Sequence, residues 1–360
     1  MTADSISVAV LAGDGIGLEV VPVAVDVARR ALAGHRIDVV VRDLPFGRSA
    51  IDSHGASVPE STLDELTEHD LWVVGPHDSA GYPSPFREQQ PPGAVLRKHF
   101  DLYANLRPAQ AIPSVPAASP DIDLLIVREN SEGLYADRNM AVGSGEFMPT
   151  PDVALSVGLV TRAATERIAV AAFDAARTRR NKVTIVHKAN VLRLTTGLFR
   201  DVCLEVAQRY PDVEVNQQHV DAMAAQLVRR PADFDVIVTE NLFGDILSDL
   251  AAELSGSLGL AASLNCSGAH AMAQAVHGAA PDIAGQGLAN PVAMIGSVAM
   301  ALRWQGERRD DERLVAASSS ISKAVEATLG EGISTPDLGG SASTTAFGAR
   351  VADNLCSFIP

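Results

Sequence analysis

The chain lacks the means to hold a polyanion. Its 360 residues carry 29 Lys and Arg against 44 Asp and Glu, a formal charge of −15, and no Lys/Arg-rich run interrupts that balance. Nucleic acid and anionic membrane surfaces both require clustered cations, so neither is expected as a partner, and any anion bound must meet local basic residues. Cysteine is scarce. Cys203, Cys266 and Cys356 are far apart, without a CxxC pair or an even-numbered framework, which argues against structural disulfides and thiolate zinc and points to a reducing compartment. No stretch approaches the roughly eighteen uninterrupted apolar residues of a membrane span. The first eleven residues have neither the basic nor the apolar region of a signal peptide, so a soluble, cytoplasmic protein is expected.

What is present is apolar bulk. Hydrophobic residues make up 47% of the chain, enough at this length for a large core in one large or two ordinary domains. Short β-branched runs alternate with Ala-rich helical patterns, as in 6–11 before 19–33 and 183–187 before 192–209. That alternation predicts an α/β layered fold. Further strands are expected at 71–74, 124–127, 213–219 and 234–239, and no solenoid-length repeat is visible. Two segments rich in Pro with Gly, Ser or Ala, 75–93 and 108–120, are expected to be loops. The first leads into a charged cluster and is read as functional, the second as a structural excursion.

Several local patterns could carry chemistry. Gly13-Asp14-Gly15-Ile16-Gly17 lies between a strand and a helix, where glycines admit a ligand to the backbone; a demanding turn explains the same three glycines equally well. Arg97 and Arg107 flank an apolar stretch, and Arg128 closes the 124–127 strand. Guanidinium forks match carboxylates, so three converging on one cleft would suit a polycarboxylate, although each could equally pair with a surface acid. Asp245 and Asp249, four residues apart, share one face of a helix that begins near Asn241. Hard oxygen ligands without adjacent Cys or His favour Mg²⁺ or Mn²⁺ over zinc, whereas attraction of acids to a helix start would explain Asp245 but poorly Asp249. Lys188, in His187-Lys188-Ala189-Asn190 at a strand end, is a general-base candidate or a solvated charge. The Gly- and Pro-rich segment 277–291 has the length of a functional loop.

Taken together, these segments resemble the isocitrate/isopropylmalate dehydrogenase family, in family order and over nearly the whole chain. The motifs are GDGIG at 13–17, LRKHFDLYANLRP at 96–108, VREN at 127–130, HKAN at 187–190, VDAM at 220–223, NLFGDILSDL at 241–250, HGAAPDIAG at 277–285 and TPDLGG at 335–340. The resemblance implies a two-domain, three-layer, non-Rossmann α/β fold. A large domain of residues 1–102 plus 256–360 would carry most NAD contacts, and a small domain of residues 103–255 would carry the dimer interface, the metal and the catalytic residues. Arg97, Arg107 and Arg128 then resemble the clamp on the malate carboxylates, with Asn190 also at the substrate. Tyr135 and Lys188 resemble the acid/base pair, and Asp221, Asp245 and Asp249 the ligands of Mg²⁺ or Mn²⁺. In the family, the lysine and the first of these aspartates reach the neighbouring subunit's site, which implies a homodimer with shared active sites.

The implied reaction is oxidation of a C2 hydroxyl with hydride transfer to NAD, proton removal by Lys188, directly or relayed through Asp221, and decarboxylation of the β-keto acid with protonation at C3 by Tyr135. Family members that prefer NADP carry Lys-Tyr where this chain has Asp282-Ile283; a carboxylate accepts from ribose hydroxyls and repels a 2′-phosphate, so NAD is expected. His277, Gly278, Ala280, Pro281, Ala289 and Asn290 would line the adenosine side, with Ile16 near the nicotinamide.

The resemblance breaks down where the family chooses its substrate. Isopropylmalate enzymes place Glu and a Leu pair just before the first clamp arginine, isocitrate enzymes Ser and Asn, and homoisocitrate enzymes an extra Arg; this chain has Gln90, Pro91, Pro92, Gly93 and Ala94. The small side chains at Gly93 and Ala94 would leave room for a bulkier C3 group, and Gln90 would hydrogen-bond a polar one. Asn130 matches isocitrate, homoisocitrate and tartrate/malate members rather than leucine-pathway enzymes. The family resemblance as a whole implies a 3-substituted (2R)-malate, 3-isopropylmalate-like, as substrate, and Asn130 pulls the reading away from a housekeeping isopropylmalate enzyme. Isocitrate, homoisocitrate, tartrate, D-malate and a secondary-metabolism substrate remain open. Ala12 and Leu18 stand for family prolines, Asn265 for Gly, and Gln274-Ala275 for a Glu-Pro beside the cofactor. A silent regulatory subunit would be expected to lack the Tyr, the Lys or a metal-binding Asp, and all are present.

Overall fold

In a computed structural model describing residues 5–135 and 145–359, the chain forms two compact units. The first comprises Met1–Leu96, Ile112–Pro116 and Ser257–Pro360, the second Arg97–Ala111 and Ala117–Gly256. The chain thus enters the second unit at Arg97 rather than after residue 102, and Ile112–Pro116 groups with the first.

The first unit opens with β1 (Ser5–Leu11), α1 (Gly17–Gly34), β2 (Asp38–Asp43), α2 (Arg48–His54), α3 (Glu60–Leu66), β3 (Leu71–Val74) and α4 (Pro92–His99), whose last residues pass into the second unit. The β1–α1 turn settles the question of the glycines. Gly13 and Gly15 have φ of 77° and 56°, and a Cβ would stand 2.1 Å from the Pro76 carbonyl oxygen at Gly13 and 2.0 Å from that of Ala279 at Gly15. Backbone conformation and close approach therefore account for these two positions without a ligand. Asp14, between them, is a structural hub. Its Oδ1 accepts the Arg48 N–H at 2.8 Å, and its Oδ2 accepts the Asp78 N–H at 2.9 Å and the Tyr82 hydroxyl at 2.6 Å. These bonds pin segment 75–93, which contains single 3₁₀ turns at Ser79–Gly81 and Phe86–Glu88.

The second unit contains β4 (Ala104–Gln110), β5 (Asp123–Glu129), β6 (Glu146–Thr150), β7 (Val153–Ser156), α5 (Arg162–Arg177), β8 (Lys182–His187), α6 (Thr195–Ala207), β9 (Glu214–His219), α7 (Val220–Arg229), β10 (Val236–Thr239) and α8 (Asn241–Ser255). Its sheet runs β4-β5-β10-β8-β9, antiparallel at β4-β5 and parallel elsewhere, while β6 and β7 form a separate antiparallel pair. β10 is buried along its whole length, as expected of a parallel strand covered by helices on both faces; β9, EVNQQH, has only exposed and half-buried positions. Leu124, Ile126, Ile237, Leu247 and Ala251 join β5, β10 and α8 in one core. The segment expected to be a loop from residue 108 is strand as far as Gln110, with Pro108 opposite Leu125; the fixed φ of proline is compatible with extended backbone.

The chain returns to the first unit with β11 (Leu264–Cys266), β12 (Ala271–Ala273), α9 (Val292–Arg309), α10 (Glu312–Gly330) and α11 (Thr344–Asn354). Here the strand order is β2-β1-β3-β12-β11, parallel except at β12-β11. α1 buries Val20, Val21, Ala24, Val27, Ala28, Ala31 and Leu32, the three-and-four spacing of an amphipathic helix, and packs against α9, α10 and α11.

Candidate active site

One carboxylate organises the second unit. Asp245, in the second turn of α8, accepts from Arg107 at 3.1 Å and from Arg128 through Oδ1, and from the Tyr135 hydroxyl at 2.8 Å through Oδ2. Asp249 lies one turn further along, its Oδ1 3.6 Å from Arg107. The arginines come from neighbouring antiparallel strands. Arg107 on β4 also donates to Asn105 Oδ1 at 2.5 Å and Ser248 Oγ at 2.7 Å, and Arg128 on β5 forks onto Asn241 Oδ1 at 3.0 and 2.7 Å. Asn241 in turn donates to the Glu132 carbonyl at 3.0 Å. Gly244 lets α8 lie against the stem of Arg128, since a Cβ there would stand 2.7 and 2.8 Å from Arg128 Cγ and Cβ.

Electrostatics follow from this packing. Burial alone would raise the Asp245 carboxyl, but Arg128 and Arg107 outweigh it and hold it below the usual carboxylate range. Asp249 is more exposed; burial raises its pKa, and Arg107 opposes that rise incompletely. Burial brings Arg107 down to about 10, helped by the like charge of Arg128 and countered by Asp245, so it stays cationic at neutral pH. The result is two adjacent hard-oxygen donors faced by two fixed guanidinium groups, a donor set suited to an oxygen-preferring divalent cation together with a carboxylate ligand. Arg97, the third expected clamp residue, is half-buried in the last turn of α4 and opens the second unit.

A separate group surrounds Lys188. Its Nζ donates to Asp221 Oδ1 at 2.5 Å, and this bond is the main reason that the Asp221 carboxyl is held low. One chain therefore gathers Asp245 and Asp249 on α8, while Asp221, in the first turn of α7, is engaged by Lys188. Among the described residues no group of three or more His, Cys, Asp or Glu is disposed to hold a metal. The turn bearing Lys188 is braced on both sides. His187 Nδ1 accepts the Ala189 N–H at 3.1 Å, which puts the ring proton on Nε2, 3.1 Å from Gln217 Oε1, and Thr196 Oγ1 accepts the Lys188 N–H at 3.1 Å. Burial lowers the His187 pKa, which favours this neutral form. Asn190 is exposed beyond the turn.

The remaining expected residues fall in the first unit. Gln90 is half-buried, and Gly93 and Ala94 are buried at the start of α4. Ile16 is buried at the N-cap of α1, with its N–H bonded to the Ala279 carbonyl at 2.9 Å. Segment 277–291 contains no regular element before α9. Gly278, Pro281 and Asp282 are exposed, Ala280 and Ile283 half-buried, and Ala280 has a positive φ of 38°. His277 has a buried Nε2 with no hydrogen-bond partner, and burial lowers its pKa. Ala289 and Asn290 are buried: the Ala289 carbonyl accepts from Thr344 Oγ1 at 2.6 Å, and the Asn290 amide donates to Asp337 at 3.0 Å and accepts from the Val292 N–H at 3.0 Å.

The sequence profile described as isocitrate/isopropylmalate dehydrogenase matches residues 7–351. The chain belongs to this family. It is 40% identical to the 3-isopropylmalate dehydrogenase of Methanothermobacter thermautotrophicus, over 98% of this chain and 99% of that protein. With the isocitrate/homoisocitrate dehydrogenase of Thermus thermophilus the identity is 44%, over 97% and 98%. The isocitrate dehydrogenase structure from Methylococcus capsulatus superposes with a TM-score of 0.85 at 38% identity, covering 97% of this chain and 99% of that one. As a member of the isocitrate/isopropylmalate dehydrogenase family the protein is an oxidatively decarboxylating dehydrogenase with a mixed α/β fold.

Sequence reading picked out the charged members of the Asp245 cluster. It gave no role to Asn105, Asn241, Gly244 and Ser248, which place them, or to His187 and Thr196 behind Lys188. The available signal was position: Asn241 and Gly244 stand four and one residues before Asp245, so a helix starting at Asn241 turns both toward the strand that carries Arg128.

Proposed function

We propose that the protein oxidises the C2 hydroxyl of a 3-substituted (2R)-malate, of the 3-isopropylmalate type, and releases the carboxylate β to the new ketone as CO₂, with NAD and Mg²⁺ or Mn²⁺ as cofactors. The observation that carries this reading is Asp245, which receives the guanidinium groups of buried Arg128 and half-buried Arg107 and a tyrosine hydroxyl, with a second carboxylate one turn away. Asp245 and Asp249 would hold the cation, joined by Asp221 of a second copy. When bound, the cation would supply Lewis-acid stabilisation of negative charge at the C2 oxygen, and NAD would supply the hydride acceptor. Arg107 and Arg128, with Arg97, orient the substrate's carboxylates through their N–H groups. The Lys188–Asp221 pair takes the hydroxyl proton, and Tyr135 returns a proton to C3 after CO₂ departs. Asp282 accepts from the ribose hydroxyls and disfavours a 2′-phosphate. Tyr135, Lys188 and all three aspartates are present, which favours an enzyme over a regulatory subunit.

The protein acts as a homodimer with shared sites in this reading. Support comes from apolar side chains exposed in one copy near the catalytic groups: Val191 and Leu194 beyond Lys188, and Ile246 beside Asp245, are 65%, 87% and 58% exposed. Gly93 and Ala94 would accommodate the C3 substituent and Gln90 would bond a polar one. The test is NADH formation at 340 nm by the purified protein with Mn²⁺ and 3-isopropylmalate, isocitrate, homoisocitrate, tartrate and D-malate. Turnover of one C3-substituted malate, abolished by chelation and restored by metal, is expected. Metal-independent turnover, or none with any of these acids, would overturn the reading; a clear preference for 3-isopropylmalate would remove the role given to Gln90.

A further inference from the structure

Segment 277–291 is the long irregular stretch to which the proposed NAD contacts belong, and its middle is exposed. Two of its backbone donors nevertheless point inward to a single carboxylate. Glu19, in the first turn of α1, accepts the Gly285 N–H through Oε1 at 2.6 Å and the Gly287 N–H through Oε2 at 2.8 Å. Both glycines are in the left-handed region, with φ of 79° and 67°, and their two amides, one residue apart, meet the same carboxylate while the Gln286 N–H between them bonds the Ile283 carbonyl at 3.2 Å. Further anchors lie at the ends of the segment: the Ile16 N–H on the Ala279 carbonyl at 2.9 Å, the Thr344 N–H on the Gly287 carbonyl at 2.9 Å, and Thr344 Oγ1 on the Ala289 carbonyl. Apart from the Gly285 N–H on Glu19, the bonds between Ala280 and Gln286 are local ones, such as Ile283 N–H to Ala280 O and Gln286 Nε2 to Asp282 O.

We propose that Glu19 is a positioning residue for cofactor binding, fixing the shape of the segment that presents Asp282 and Ile283. This inference rests on the reading of 277–291 as the NAD segment. Glu19 does not need to touch NAD. A segment held in its binding conformation binds more tightly than one that must be ordered on binding, because less conformational entropy is lost. The two charge-assisted bonds also hold α1 and the segment at one separation, and α1 begins beside Ile16, the residue expected near the nicotinamide.

The test compares wild type with Glu19→Ala and Glu19→Gln, the latter keeping the shape and one acceptor oxygen. Amide hydrogen exchange is measured without cofactor, NAD binding by titration, and kinetics with the best substrate. In Glu19→Ala, exchange in 281–288 is expected to accelerate at least tenfold while β1 and α9 stay protected, with a tenfold or greater rise in the NAD dissociation constant and KM and less than threefold change in kcat. Glu19→Gln should fall between the two, and it keeps the proposal testable if the alanine variant fails to fold. Unchanged exchange and affinity in a folded variant overturn the proposal. Accelerated exchange with unchanged NAD affinity overturns it too, since the tethered segment would not govern the cofactor. Failure of wild type itself to bind NAD instead removes the cofactor reading on which the proposal stands.

Discussion

Gly244 shows how a residue without a side chain can set the position of a candidate substrate-binding one. Arg128 is buried and tied to Asn241 and Asp245, so the Cβ and Cγ that a new methyl group would meet at 2.8 and 2.7 Å belong to the inflexible end of its side chain. Gly244→Ala is expected to push Arg128 off Asp245, lowering kcat/KM at least tenfold and costing about 1–3 kcal/mol of stability from overpacking. Steady-state kinetics with thermal melts check this; a variant within twofold of wild type would show that α8 can retreat without disturbing the arginine. At this scale the sequence was legible for charges and silent about supports. Arg107, Arg128, Asp245 and Asp249 announce themselves by type and spacing, whereas an asparagine or serine that orients them looks like any other polar residue until the strands are paired.

Elements were read well where periodicity was strong and less well where turn geometry decided. β3 was placed residue for residue, and α1 within two residues at each end, because an apolar parallel strand and a long amphipathic helix each leave an unambiguous period. α6 begins at Thr195 rather than 192, since residues 191–194 form an exposed turn after Lys188 that hydrophobicity alone does not betray. The start of α8 holds a feature that spacing does not reveal. Glu240, its N-cap residue, has an Oε1 that is buried without a hydrogen-bond partner. Burial, with the negative Glu129 nearby as the lesser cause, raises its pKa to about 7. Because the folded-state value lies above the unfolded one, the stability this group contributes is fully present below about pH 4.5 and is lost as pH rises to about 7. Glu240→Gln should therefore match wild type near pH 5 and exceed it at pH 8 by about 1–3 kcal/mol. Urea titrations at the two pH values measure the difference, and an equal difference at both would mean that Glu240 does not titrate on folding in this range.

For the whole molecule the decisive observation is that the candidate site residues of one chain engage different partners. Tyr135, Arg107 and Arg128 converge on Asp245, while Lys188 turns to Asp221, and apolar residues beside both groups are exposed. The proposed site, completed by a second copy, would account for both observations and has a quantitative consequence. Lys188→Ala and Asp245→Ala should each be inactive as homodimers. A heterodimer of the two variants contains one site with both an intact Asp245 and an intact Lys188, from different chains, and one site with neither. Unfolding and refolding an equal mixture makes about half the dimers hetero, each with one working site of two, so about a quarter of wild-type activity should return. If Lys188 instead served the Asp245 of its own chain, every site in the mixture would lack one group and no activity would reappear, however completely the dimers had exchanged.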